Sequence, residues 1–126
     1  MRLTTKVVSV LASLVLAVSL GLVGSPAQAA KPKHDATLIP GVAPSGKLFV
    51  SGKVSTFKNK TITVQRKDKG KPWKLYVKTD TNNKGKYRAN VEGPSKSCFR
   101  IVVPKTSKYR KTTVAKDPSG NELCLK

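Results

Sequence analysis

The chain has 126 residues, with 25 Lys or Arg against six Asp or Glu, a formal net charge of +19 and one histidine. That length holds one small domain with a modest core. A single histidine excludes a two-histidine acid–base pair, and two cysteines without C-x-x-C spacing argue against a zinc or dithiol redox motif.

Residues 1–29 read as a signal peptide. Arg2 and Lys6 form a charged start, Val7 to Val23 an apolar run, and Ala27-Gln28-Ala29 the small-x-small pattern of a cleavage site before Ala30. The run is short for a membrane span, and Gly21 and Gly24 loosen its end. No cysteine follows it to carry a lipid, and no later stretch approaches membrane length. Removing these 29 residues, with two of the 25 basic ones, leaves 97 residues that carry 23 basic and six acidic side chains. The expectation is a secreted protein without a transmembrane segment, free in the medium or associated with the cell wall.

Residues 30–45 read as a flexible, basic leader. Pro32, Pro40, Gly41 and Pro44 exclude a helix. Thr37-Leu38-Ile39 offers a short edge strand, and His34 is expected to be solvated. From residue 46 to 126 alternation with period two dominates. Leu48, Val50 and Val54 alternate with Phe49, Ser51 and Lys53. Ile62 and Val64 alternate with Thr61, Thr63 and Gln65. Trp73, Leu75 and Val77 alternate with Lys74, Tyr76 and Lys78. Tyr87, Ala89 and Val91 alternate with Lys86, Arg88 and Asn90, and Phe99, Ile101 and Val103 with Cys98, Arg100 and Val102. Turn residues separate the runs: Asn59-Lys60, Asp68-Lys69-Gly70, Asn82-Asn83-Lys84-Gly85, Gly93-Pro94-Ser95 and Pro118-Ser119-Gly120-Asn121. No window shows a helical period. The pattern predicts an all-β protein, an antiparallel sandwich or barrel of about seven strands if 110–116 and 122–125 both form strands.

Cys98 and Cys124 allow one intramolecular pairing, and an oxidising compartment favours it. With Phe99, Ile101, Leu123 and Leu125 pointing inward, both cysteines point outward, and a bridge would tie the last strand to its neighbour. The bridge would close a loop of 25 intervening residues, worth roughly 3–4 kcal/mol in lost unfolded-state entropy.

The succession Val50-Ser51-Gly52-Lys53-Val54, Ile62-Thr63-Val64-Gln65-Arg66, Trp73-Lys74, Thr79-Asp80 with Gly85-Lys86-Tyr87, Phe99-Arg100-Ile101-Val102-Val103 and Tyr109 resembles the immunoglobulin-like modules of secreted and surface proteins of Gram-positive-type bacteria. These share a broad sandwich architecture with carboxypeptidase regulatory domains and transthyretin. The resemblance spans about residues 35 to 116 and implies a β-sandwich that serves as a spacer or binding unit. It implies no catalytic residue. A domain standing alone behind its signal, with a cysteine pair and so basic, departs from the spacer role.

Asp35, Asp68, Asp80, Glu92, Asp117 and Glu122 are scattered, and Asp68, Asp80 and Asp117 fall in or beside turns, where Asp caps its own backbone. Asp80-Thr81-Asn82-Asn83 is rich in oxygen but lacks a full D-x-D-x-D-G loop, so it reads as a turn and no metal or cofactor is expected. Trp73 reads as a core plug, and Tyr87 and Tyr109 as packing residues. Tyr76, between Lys74 and Lys78, could stack on a sugar or base, although a cross-strand aromatic contact is the simpler reading.

The charge is what a bland sandwich does not explain. A net +17 on 97 residues exceeds what guarding strand edges requires and opposes compaction by self-repulsion. The polyanion-binding candidates are Arg66, Lys67, Lys69 and Lys71 in the first long turn, then Lys74, Tyr76, Lys78, Lys86, Arg88 and Arg100, read together as a basic sheet face. Lys53 joins them, and Lys105, Lys108, Arg110 and Lys111 extend the charge to the loops. Lysine outnumbers arginine, which favours diffuse, hydrated contact. Released nucleic acid is a further candidate polyanion, although no nucleic-acid motif and no phosphate-binding G-x-x-x-x-G-K-[ST] loop occurs. The expectation is a secreted, non-enzymatic module for an anionic polymer, such as teichoic acid or an acidic polysaccharide. The alternative is a disulfide-stapled interaction or inhibitor scaffold with an acidic protein partner, and a third reading is a small enzyme whose site leaves no motif.

Overall fold

Alternating side chains give each strand one apolar and one wet face, and two such sheets bury their apolar faces against each other. The computed structural model describes residues 30–126 and does so; the expected signal peptide lies outside the described residues. The strands are β1 (Ile39–Val42), β2 (Leu48–Lys53), β3 (Thr61–Lys67), β4 (Lys74–Asp80), β5 (Lys86–Val91), β6 (Cys98–Val103), β7 (Thr112–Val114) and β8 (Leu123–Cys124). No helix occurs among the described residues. One sheet has the order β1-β2-β5, the other β4-β3-β6-β7 with β8 also on β6, and every pairing between strands is antiparallel. The fold is an all-β sandwich of eight strands, and both segments 110–116 and 122–125 contribute one.

The core joins both sheets. Val50, Val54, Tyr87, Ala89 and Val91 from one side meet Ile62, Val64, Phe99, Ile101, Val103 and Leu123 from the other, with Leu38 and Phe57 closing the ends. β7 and β8 lie along the same edge of β6, β7 opposite residues 101–103 and β8 opposite 98–99. Between them the chain makes an excursion held by the Lys116–Glu122 bridge and by Asp117, whose carboxylate accepts the Ser119 and Asn121 N–H groups. Cys98 stands directly opposite Cys124, with Cα atoms 3.9 Å apart, and the two are disulfide-bonded.

Residues 31–45 do not form the flexible leader expected of their proline content. β1 pairs with β2, Ala36 bridges Val54, Lys33 bridges Arg110, and Leu38 is buried. Gly52 permits the close approach, since a Cβ there would collide with the Thr37 carbonyl. That carbonyl accepts the Tyr87 hydroxyl at 2.6 Å, and burial pushes the Tyr87 phenol pKa up. His34, expected in solvent, is 4% exposed. Its N–H donates to Thr112 Oγ1, and its ring stacks on Tyr109 and meets Phe57 edge-on. Nε2 lies 2.8 Å from the Pro104 carbonyl, which can only accept, so in the neutral ring Nε2 carries the hydrogen and Nδ1 accepts from Thr56 Oγ1 at 2.7 Å. Leader composition hid this anchor because every partner is at least 22 positions distant in the chain.

The alternation expected for β4 also fails, for a local reason. Val64 opposes Val77 but Gln65 opposes Leu75, so Tyr76 is an extra, bulged residue. The bulge turns Tyr76 toward the core, where its ring meets Phe99 at 5.6 Å, and leaves Leu75 57% exposed on the outer face. Trp73 is half-buried and outside the core rather than a plug within it.

Two stability measurements check this description. Replacing both cysteines by serine is expected to lower unfolding free energy by about 3 kcal/mol in a denaturant titration of residues 30–126. His34→Ala should cost about 2–4 kcal/mol, because it leaves a cavity and strands the Pro104 carbonyl. A solvated leader would make that change neutral.

Candidate anion-binding surface

The turn Gln65 to Lys74 is organised by its single acid. The Asp68 carbonyl accepts the Lys71 N–H at 2.9 Å, closing the turn. Its carboxylate accepts Ser97 Oγ at 3.0 Å and Arg66 Nη2 at 3.4 Å. Arg66 Nε lies 2.9 Å from Asp68 Oδ1 but makes no hydrogen bond, so that contact is an ion pair alone. Burial by itself opposes charge on Asp68. The Ser97 bond, Arg66 and the nearby Lys74 outweigh it and hold the carboxyl below its usual value.

Two of the expected anion contacts are consumed by this internal network. Arg66 also donates Nη1 to the Glu92 carbonyl and lies 5.2 Å over the Tyr76 ring. The Tyr76 hydroxyl accepts the Glu92 N–H. Both side chains brace the end of the sandwich and are not free for a ligand.

The outer face of the five-stranded sheet is different. Gln65 stands opposite both Arg100 on β6 and Leu75 on β4. Arg100 Nε donates to Gln65 Oε1 at 2.6 Å, and the guanidinium lies 4.3 Å from the centre of the Trp73 ring. The stack and the hydrogen bond fix the plane of the guanidinium. Its two terminal nitrogens have no hydrogen-bond or carboxylate partner among the described residues. Desolvation lowers the Arg100 pKa, though an arginine remains charged at any physiological pH. The pair forms one wall of a concavity of about 390 Å³, with Lys67, Lys69 and Lys96 around it and two acidic residues, Asp68 and Glu122, also lining it; Asp68 is already paired with Arg66. A fixed guanidinium with two free donors suits a planar or tetrahedral oxyanion, and an adjacent indole suits a sugar ring.

The remaining candidates are dispersed. Lys78 projects from the same outer face beside Thr63. Lys71 is exposed at the turn, and Lys74 is exposed opposite Arg66. Lys86 and Arg88 belong to the outer face of the other sheet, so the expected basic face is divided between opposite sides of the molecule. There Arg88 lies 3.8 Å over the Phe49 ring, which in turn covers Gly41. Trp73, Gln65 and Lys96 were missed by sequence reasoning. The aromatic directly after Pro72 is the available signal for Trp73, although its alternation with Leu75 and Val77 points to the core.

The described residues hold no catalytic constellation of acids. Asp35 accepts Ser55 Oγ, Asp80 accepts Thr61 Oγ1, and Asp117 caps its own turn. Thr81, in the oxygen-rich stretch, is buried and donates to the Phe57 carbonyl, as a structural turn requires. Cys98, Cys124 and Glu122 come together, but both sulfurs are held in the disulfide and offer no thiolate to a metal. No family model, curated protein sequence or solved structure matches the chain.

The lowered Asp68 pKa fixes a sign. Its stabilising contribution is present above the ordinary carboxylate value of 3.8 and is lost as pH falls through the lower folded value. Asp68→Asn should therefore remove part of the acid-induced loss of stability below about pH 4, read as a flatter melting temperature against pH than in the unaltered chain.

Proposed function

We propose that the protein is a secreted, non-enzymatic module that binds anionic cell-envelope polymers, teichoic acid or acidic polysaccharide, through its basic surfaces. The observation that carries this reading is the near-absence of internal charge pairing. Residues 30–126 carry 23 Lys and Arg, and among them the only ion pair is Arg66 with Asp68. Asp35, Asp80 and Asp117 cap turns and hydroxyls, and neither Glu92 nor Glu122 pairs with a cation among the described residues, so the cations have no internal partner to account for them. Such a charge excess destabilises the folded chain unless a polyanion neutralises it.

The Arg100–Trp73 stack gives the diffuse lysine field one defined contact. Secretion rests on the residue 1–29 pattern, and the disulfide fits an oxidising compartment. Strands 1, 2 and 5 in one sheet and 4, 3, 6 and 7 in the other are compatible with the sandwich of immunoglobulin-like modules.

A second reading, a scaffold for an acidic protein, draws on one observation. Exposed Leu75, beside Gln65 on the same basic face, offers the apolar centre that a protein interface needs.

Salt separates the two. Binding to poly(glycerol phosphate) or polygalacturonate should weaken by about 10³-fold between 50 and 200 mM salt if several contacts release counterions. A packed protein interface would change far less. Replacing Lys67, Lys69 and Lys71 by glutamine should flatten the salt slope without lowering the melting temperature. Arg100→Lys keeps the charge but loses the two-donor fork, and should weaken binding by about tenfold, followed through Trp73 fluorescence. Absence of binding to either polymer at low salt would remove this reading and leave the protein scaffold.

A further inference from the structure

The face away from Trp73 has a cost that its own contacts do not repay. Its outward positions on β2 and β5 are Phe49, Ser51, Lys53, Lys86, Arg88 and Asn90. None is acidic. Lys53 stands directly opposite Lys86 in the register, an arrangement in which like charges repel across the pair. Neither makes an ion pair among the described residues. Arg88 lies flat on Phe49 at 3.8 Å, and its guanidinium nitrogens donate to no described residue. Phe49 is itself fixed, because its ring fills the space a side chain at Gly41 would need. The arrangement repeats the one at Arg100: an arginine immobilised on an aromatic ring, free terminal donors and flanking lysines. Arg100 has the additional Gln65 bond.

The two faces point in opposite directions. The sheets between them stack about 10 Å apart, and the outward side chains add to that on both sides. A polymer segment lying along one face cannot also touch the other.

We propose that Arg88, Phe49, Lys53 and Lys86 form a second oxyanion-binding site, and that the two back-to-back sites let one molecule bridge two chains of an anionic polymer. The inference rests on the polyanion reading above and extends it from a binder to a cross-linker. The shared ligand chemistry is a flexible chain of repeating oxyanions. Phosphate from a polyol phosphate and carboxylate from a polyuronate both fit a guanidinium fork.

Light scattering on residues 30–126 mixed with poly(glycerol phosphate), and separately with polygalacturonate, tests this. Bridging predicts strong scattering near charge equivalence and loss of scattering in excess polymer, when too few protein molecules are present per chain to link the chains into a network. Whichever polymer produces it identifies the oxyanion. The triple variant Lys53→Gln, Lys86→Gln, Arg88→Gln should still bind polymer, by Trp73 fluorescence, yet scatter at least tenfold less. The control Lys47→Gln, Lys58→Gln, Lys84→Gln removes the same charge from exposed positions outside the strands and outside both sites, and should scatter like the unaltered protein. In the unaltered protein, the Nε–H resonances of Arg88 and Arg100 should both shift on titration with methyl phosphate or galacturonate, which keeps the test open if the triple variant fails to fold. Equal loss of scattering in the control, an unmoved Arg88 resonance, or binding without scattering would overturn the second site while leaving the polyanion reading intact. No binding of either polymer at low salt would overturn both.

Discussion

Strand β6 is the constraint on which the structure turns. It is paired on one side with β3 and on the other with β7 and β8, so its register cannot slip without moving every side chain to the wrong face. Its inward residues, Phe99, Ile101 and Val103, occupy the centre of the core. Its outward residues include Cys98, which receives the staple, and Arg100, which stacks on Trp73 and is the best defined of the proposed anion contacts. The strand that is best held thus carries both the covalent lock and the proposed recognition element, and the guanidinium inherits the rigidity of the sheet beneath it.

The charge distribution is organised by what the acids do. Asp68, Asp80 and Asp117 serve turns and neighbouring hydroxyls, leaving the lysine field without neutralisation. Asp68 shows the division clearly: it pairs with Arg66 and fixes the turn, while Lys67 and Lys69, which line the concavity beside it, have no ion-pair partner among the described residues. Stability comes from the core, the disulfide and the buried His34 anchor. The surface charge works against stability, and that opposition is the physical reason to assign it to an external partner.

Much of the architecture was legible because it depends on period and chemistry close in sequence. Val50, Ile62, Val64, Ile101 and Val103 lie where alternation places them, and Cys98 and Cys124 both face outward as the same alternation requires. What was misread depended on geometry that period cannot encode. A single bulged residue reversed the expected roles of Leu75 and Tyr76, and Trp73 moved from core plug to a surface platform. His34 and the segment around it looked mobile because prolines exclude a helix, yet prolines are no obstacle to an edge strand whose partners lie far along the chain.

By itself the sequence determined an all-β chain, a one-way cysteine pairing, a core of alternating aliphatics and an excess of positive charge, since each of these follows from residue type and local spacing. Only the tertiary structure decided which cations converge. Arg100 meets Trp73 and Gln65 across three strands, whereas Lys86 and Arg88 are carried to the opposite face because β5 joins the other sheet. Sheet membership is set by how the whole core packs, and no single strand contains that information.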